Sequence, residues 1–309
     1  MKILVTGATG YIGHALVARL LEREHQVVAL VRDPDRAKLG AAKLVRADLE
    51  IAGPWCDELD GADAVIHLAG EPVAGKRWDA RQKQRLRDSR IETTRSIVEA
   101  IAKAARKPRV LACASGVDYY PFALGLSGFD DDEVTESDPP GDGFLARLCA
   151  SWEAEARAAT SHGVRVCSMR IGLVLGGSGG ALARMKRPFE WFVGGRIGSG
   201  RQLVSWIHRD DVIAAYETAL DDDRFSGPIN LVAGSVRNAD FARAIGHALH
   251  RPSWVPVPAF ALRLAVGELA ESILHGRNVV PAKLRQLGFS FAHPDLADAL
   301  ACSFGHART

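Results

Sequence analysis

From Ile3 to Arg170, short apolar runs alternate with longer amphipathic ones. Ile3–Thr6, Val27–Val31, Leu44–Ala47, Ala64–Leu68, Val110–Ala114 and Val164–Arg170 are apolar at consecutive positions rather than at every second one. A strand covered by helices on both faces carries that pattern; a strand with one face in water alternates. Between these runs, His14–Glu24, Gln82–Lys107 and Phe144–His162 place apolar residues three and four apart among good helix formers, which predicts helices with one buried stripe. Strands and helices in this alternation predict an α/β fold built on a doubly wound parallel sheet.

The texture changes at Gly176. Gly176–Gly180 and Gly194–Gly200 read as loops that bracket a helix containing Trp191. Val204–Ile207 and Asp211–Leu220 read as a strand and a helix returning to the main sheet, and Asn230–Val232 as one more strand. From about Asn238 the pattern is helical and punctuated by Pro252, Pro256, Pro258 and Pro281. The expected organisation is a sheet domain over residues 1–235, with 176–205 contributing to a second lobe. Residues 236–309 then form a smaller, mainly helical C-terminal lobe that caps the substrate side. The acidic run Asp130–Glu133 reads as a solvated loop, and no internal repeat is visible.

Composition narrows the function classes. The 309 residues are 47% hydrophobic and 25% charged, enough for one large core and a smaller one. A formal net charge of +2 gives no general case for a nucleic-acid partner or an anionic membrane surface. The apolar run at Ile3–Val5 is too short for a signal peptide, and no stretch approaches the roughly 20 apolar residues of a spanning helix. The five cysteines (Cys56, Cys113, Cys149, Cys167, Cys302) are odd in number, scattered, and without metal-ligand spacing. They point to a reducing compartment, so a cytoplasmic protein without a metal is expected.

One motif carries a specific ligand. Thr6-Gly7-Ala8-Thr9-Gly10-Tyr11-Ile12-Gly13 follows the first strand and opens the first helix. Glycine there permits a positive φ and lets the backbone approach a pyrophosphate, while the helix N-terminus offers free N–H groups. In its strand–turn–helix context this is a Rossmann-type dinucleotide site, formed by Gly7, Thr9, Gly10, Tyr11, Ile12 and Gly13. At the end of the second strand stand Val31-Arg32-Asp33, with Arg36 and Lys38 nearby. An acid there would bond a ribose 2′-hydroxyl and a cation a 2′-phosphate. Arg32 comes first and forks onto phosphate, which favours NADP(H), with Asp33 as the NAD alternative. Asp48 is placed to touch the adenine or to cap a strand end, and Leu68-Ala69-Gly70 supplies the small-residue approach beside the cofactor ribose.

The Gly-x-x-Gly-x-x-Gly spacing, with Trp206-Ile207-His208-Arg209-Asp210-Asp211-Val212, resembles the extended short-chain dehydrogenase/reductases. Further blocks narrow the resemblance: His67-Leu68-Ala69-Gly70-Glu71-Pro72-Val73 with Lys76-Arg77-Trp78, Ser89–Thr94, Phe144-Leu145-Ala146 with Trp152-Glu153, Gly198–Gln202, His250-Arg251-Pro252 and Val257-Pro258. Together they look like an atypical, epimerase-like family with a C-terminal domain of unknown function. The resemblance covers essentially the whole chain.

That resemblance implies a tyrosine that exchanges a proton with the substrate, a lysine one helical turn later, and an orienting serine. Ser115 matches the serine. Counting back from Glu153 puts the other two near Leu145 and Cys149, and the supporting asparagine near Arg90, so the Tyr-x-x-x-Lys pair is missing. Three readings stay open. Tyr119 or Tyr120 supplies the proton with Arg90 lowering its pKa; or Cys149 is a working thiol activated by Arg90 or Arg147; or the site binds dinucleotide without turnover. Lys76–Arg95 holds eight basic residues, read either as a solvated helix face or as presenting Arg77 and Arg90 to an anionic substrate. His208 and Asp210 are expected to fasten the sheet to the second lobe. The sequence thus leans to an NADP(H)-dependent oxidoreductase or epimerase for a small polar substrate, nucleotide-linked ones included, against a non-catalytic NADP(H)-responsive binding protein. A monomer fits, as does a homodimer through the helices at Gln82–Lys107 and Phe144–His162.

Overall fold

The computed structural model describes residues 1–122, 132–177 and 179–305. Asp130 and Asp131 of the acidic run and Ser178 of the first glycine loop lie outside the described residues. In chain order come β1 (Lys2–Thr6), α1 (Tyr11–Glu22), β2 (Gln26–Val31), β3 (Lys43–Arg46), β4 (Ala64–His67), α2 (Ala80–Lys103), β5 (Val110–Gly116), β6 (Glu133–Val134), α3 (Phe144–Arg157) and β7 (Arg165–Ile171). They are followed by β8 (Leu173–Leu175), α4 (Leu182–Glu190), β9 (Leu203–His208), α5 (Arg209–Asp221), β10 (Gly227–Leu231), β11 (Gly234–Arg237) and α6 (Asn238–Leu249). The chain closes with α7 (Ala259–Val266), α8 (Leu269–Leu274), β12 (Asn278–Val279), α9 (Ala282–Gln286) and α10 (Leu296–Ser303).

Seven strands form a parallel sheet in the order β10-β7-β5-β4-β1-β2-β3. Both faces are buried, which is why the strands read as continuous apolar runs. Ile3 and Val5 pack with Leu16 and Leu20 of α1 and Val212 and Tyr216 of α5 on one side. Leu4 packs with Ile97 and Ile101 of α2 and Trp152 and Ala156 of α3 on the other. Each fully buried Val, Leu or Ile among them contributes roughly 1.5–3 kcal/mol relative to exposure. The strand order reverses between β1 and β4, so their connections leave in opposite directions and open a crevice at the carboxyl ends. Among the described residues, no helix is long and apolar enough to cross a membrane.

Two expectations are corrected. Strand β9 does not return to the main sheet: it pairs with β8 and antiparallel to β11 in a separate three-stranded sheet. The edge beside β7 is taken by β10, and at Gly172 the chain leaves β7 so close to β9 that a Cβ would sit 2.7 Å from the Ser205 carbonyl oxygen. Helix α5 does pack on the main sheet. Trp191 lies just beyond α4 rather than within it, and is exposed. Leu182 and Phe189 of α4 join Trp206, Phe241, Ile245 and Leu300 in a second core, while β12 pairs with β6 and ties the C-terminal segment back to the sheet side.

The crevice rests on a buried polar bridge. His67 at the end of β4 stands opposite Thr6 of β1 in register. Its Nδ1 lies 2.7 Å from Thr6 Oγ and its Nε2 3.0 Å from Thr94 Oγ of α2. Burial, reinforced by the Arg90 charge, lowers its pKa from 6.5 to about 3. The folded protein therefore excludes a proton that the unfolded chain binds below its own pKa. This contribution is complete above the unfolded value of 6.5 and is lost as pH falls toward 3. His67→Gln is expected to flatten the stability decline between pH 6 and 4 by about 1.4 kcal/mol per pH unit, read from urea midpoints. Parallel slopes for the variant and the parent would show that His67 titrates normally.

Candidate functional site

The glycine turn is built by contacts that forbid side chains. Gly7 has φ +67°, and a Cβ there would lie 2.6 Å from the Leu68 carbonyl carbon. At Gly13 a Cβ would lie 2.2 Å from the Gly7 oxygen, which closes the first turn of α1 onto β1. Gly10 is the N-cap of α1, with no side chain capping the helix, so the first N–H groups of the helix face the crevice mouth. Thr6 Oγ accepts from both Leu68 N and Ala69 N at 3.2 Å, fixing the two strand ends against each other. Thr6, His67 and Thr94 stand within recognisable motifs, but sequence reading gave them no role, because a bridge between β1, β4 and α2 leaves no local pattern. Thr9 and Gly70 are exposed at the crevice, with Ile12, Leu68 and Ala69 partly exposed beside them. The Tyr11 ring turns away: its hydroxyl donates to the Gly176 carbonyl and the Arg209 guanidinium covers its face at 5.2 Å. Its side chain therefore joins the glycine turn to the Gly176 loop, leaving its backbone to the crevice.

At the end of β2, Arg32 is exposed and Asp33 is engaged by cations. Arg36 lies 3.3 Å and Arg46 3.9 Å from the Asp33 carboxylate. Arg46 ends β3 opposite Val31 and donates to the Arg32 carbonyl at 3.1 Å. Sequence reading missed Arg46 because only the parallel register of β2 and β3 brings it beside Arg32. Asp48 is exposed and accepts from Glu50 N at 3.2 Å, a turn-capping arrangement.

Beyond β5 the geometry separates the candidate catalytic groups. Ser115 Oγ donates to Glu153 Oε1 at 2.7 Å, and Glu153 is held by Arg170 through two 2.8 Å bonds. The Arg170 guanidinium also lies 3.4 Å over the ring of half-buried Tyr119. Tyr120 is fully buried and bonds Asn230 Oδ1 at 2.6 Å, which makes it a packing residue and removes it as a proton donor. Arg90 is not the cation beside these tyrosines. Its Nη1 donates to the Glu71 and Leu86 carbonyls, and its guanidinium lies against Gly70 and 5.1 Å over Trp152. There it neighbours Cys149, but burial pushes that thiol up to about 12 despite the opposing pull of Arg90. A thiolate is the reactive form, so this burial counts against Cys149 as an activated nucleophile.

A cavity of about 750 Å³ lies at the carboxyl ends of β5 and β7, walled on the far side by α4, α7 and α8. Leu145, at the position where the resemblance calls for a tyrosine, lines it, as do Val117, Asp118 and Ile171. Arg77 lines it as expected; Arg90 does not. Asp118, Arg184 and Arg277 also line it, and no local pattern announced them, because they come from three distant segments. His208, His293 and Cys302 bring potential metal ligands within 4.8 Å of one another. The two imidazole centroids are only 3.9 Å apart with their planes tilted by 47°; rings sharing a tetrahedral ion stand roughly 5 Å apart. His208 instead accepts from Asp210 N at 3.3 Å, and burial lowers its pKa to about 4. Asp211 accepts from Ala292 N and His293 N, so this segment ties α5 to the C-terminal region. Iodoacetamide at pH 8 is expected to modify exposed Cys302 and leave Cys149 intact, read by peptide mass spectrometry. Early modification of Cys149 in the folded protein would restore the thiol reading.

With this geometry in view, comparison with known proteins is informative. Residues 3–234 match the model of the NAD-dependent epimerase/dehydratase family, and residues 257–302 match a domain of unknown function, DUF1731. A chloroplastic epimerase family protein, the SDR39U1 homolog of Arabidopsis thaliana, is 39% identical over 305 residues, covering 97% of this chain and 86% of the relative. The crystal structure of human epimerase family protein SDR39U1 (isoform 2) with NADPH superposes with a TM-score of 0.87 at 33% identity, over 99% of this chain and 100% of that one. A nucleoside-diphosphate sugar epimerase from Corynebacterium glutamicum gives a TM-score of 0.78 at 32% identity, over 99% of this chain and 58% of that one. The chain belongs to the NAD-dependent epimerase/dehydratase family, in its atypical, epimerase-like branch with a C-terminal DUF1731 domain.

Proposed function

We propose that the protein is an NADP(H)-dependent oxidoreductase or epimerase whose substrate occupies the cavity at the ends of β5 and β7. The observation that carries this reading is the cavity itself. A chamber of substrate size opens at the carboxyl ends of strands in the same sheet that presents the glycine turn, where α/β proteins bind ligands. The crevice fits a dinucleotide on two structural grounds: without a Cβ at Gly7 and Gly13 the turn closes tightly on Leu68 and on the start of α1, as a pyrophosphate cradle requires, and the acid that would select a free ribose is engaged by Arg36 and Arg46. The NADPH bound by the human relative supports the same cofactor here. The glycine turn would hold the pyrophosphate, and Arg32 with Arg46 the 2′-phosphate. When bound, the dinucleotide supplies or accepts a hydride.

The chain's own residues then have to position the substrate and move a proton. Leu145 offers an apolar wall where a proton donor was expected, so the donor comes from the segment after β5. Asp118, which lines the cavity, is the candidate from structure; Tyr119, the candidate from sequence, lies under Arg170 and is not among the lining residues; and Ser115 orients that segment through Glu153. A second reading, NADP(H) binding without turnover, is favoured by one observation: the Ser115 proton is already committed to Glu153 rather than free for a substrate oxygen.

Arg46→Ala and Arg32→Ala are each expected to weaken NADPH binding about tenfold, roughly the 1.4 kcal/mol of one charge-assisted contact, while NADH affinity stays constant. Tryptophan fluorescence titration measures both; equal losses for the two cofactors would return the selectivity to Asp33. NADPH-loaded protein challenged with a metabolite extract should oxidise cofactor or form a new isomer, and Tyr119→Phe or Asp118→Asn should reduce that turnover at least tenfold with NADPH affinity intact. Tight NADPH binding with no chemistry would favour the binding reading instead.

A further inference from the structure

The cavity's wall chemistry identifies the class of molecule it takes. Leu145, Ile171, Leu173, Met185, Val266 and Leu269 supply apolar surface from six different elements. Most of the polar side chains on the wall are committed to the protein, Ser272 and two arginines excepted. Ser205 Oγ bonds the Arg277 carbonyl at 3.0 Å and Ser235 Oγ at 2.8 Å, and Asn238 Oδ1 accepts from Ile197 N at 2.7 Å. Arg277 donates to the Val117 and Pro121 carbonyls and pairs with Asp118, the one carboxylate on the described wall. Lys76 pairs with Glu71 at 2.7 Å. A sugar ring needs several convergent donors and acceptors, because each buried hydroxyl left without a partner costs about 1–3 kcal/mol. This wall has few to spare.

Two cations on the wall stand apart from that pattern. Arg77 and Arg184 form no ion pair among the described residues. Arg184 lies against Gly75, where a Cβ would come within 2.8 Å of its terminal nitrogens, and Arg77 runs along Gly267. Both residues are exposed, so their guanidinium groups offer an anionic group charge-assisted contacts at the rim of the cavity. Helix α7 adds a further sign: none of its residues is buried, although Leu262 and Val266 turn to the cavity. An apolar occupant would complete the burial of that face.

We propose that the cavity takes a hydrophobic anion, a compact apolar body with one carboxylate or phosphate read by Arg77 and Arg184, rather than a sugar nucleotide. This deepens the functional reading above and rests on its placing substrate in the cavity, but the test reads binding and needs no turnover. NADPH-loaded protein is titrated calorimetrically with octanoate, octyl phosphate, 1-octanol and UDP-glucose. Octanoate or octyl phosphate is expected to bind at least tenfold more tightly than 1-octanol, with UDP-glucose weaker than either. The order of the two anions tells carboxylate from phosphate. Arg184→Gln and Arg77→Gln should erase the anion's advantage while NADPH affinity holds, and Val266→Asp should weaken both octyl anions and the alcohol. Preference for UDP-glucose would overturn the proposal, as would failure of both anions to bind, or an anion advantage that survives both arginine variants. Anion binding without NADPH oxidation would sustain this proposal and count against turnover alone.

Discussion

Arg170 of β7 and Glu153 of α3 form a two-pronged ion pair, each side chain only 2% exposed. Such a pair is expensive to bury, and removing one partner typically costs about 3–5 kcal/mol because it leaves an uncompensated charge. Its remaining bonding capacity is filled by the surroundings: Ser115 donates to Glu153, Tyr120 lies 2.8 Å from Arg170, and Tyr119 is stacked beneath the guanidinium. Through Tyr120 the network reaches Asn230 of β10, whose side chain donates to the Val280 carbonyl. One buried charge pair thus holds the end of β5, the helix behind it and the C-terminal segment in a single arrangement.

That arrangement explains how the crevice keeps its shape without the tyrosine and lysine that the resemblance implied. Leu145 and Cys149 are apolar or neutral at the two positions on α3. Cations stand on neighbouring elements instead: Arg90 on α2 lies beside Gly70, and Arg170 on β7 lies over Tyr119. Burial of Arg90 lowers its pKa, yet carbonyl partners and the face of Trp152 accommodate it. Around Leu145 and Ile171 this side of the crevice is therefore apolar toward the cavity, with the Arg170–Glu153 pair behind it.

The dinucleotide side obeys a different constraint, the absence of side chains. Gly7 and Gly13 bring backbone to backbone at distances no Cβ survives, and Thr6 with His67 clamps the two strand ends that border the crevice. Neutral His67 is well suited to that place, since it bridges two hydroxyls without introducing a charge beside Arg90. The result is a rigid cradle on one side and an apolar chamber on the other, joined by the carboxyl ends of one sheet.

Much of this was legible in the chain alone. Apolar runs without alternation disclosed a sheet covered on both faces, and the turn from Gly7 to Gly13 disclosed the cradle, because local sterics and a buried environment both leave short-range patterns. The loss of the tyrosine and lysine could likewise be counted from Glu153. Tertiary structure decided what depends on contacts between distant segments. It placed β9 in a second sheet, brought Arg46 beside Arg32 through strand register, and moved Arg90 away from the tyrosines. It also assembled the cavity from Asp118, Arg184 and Arg277. Those placements depend on burial and on which charge finds which partner across the fold, and neither is encoded in the spacing of neighbouring residues.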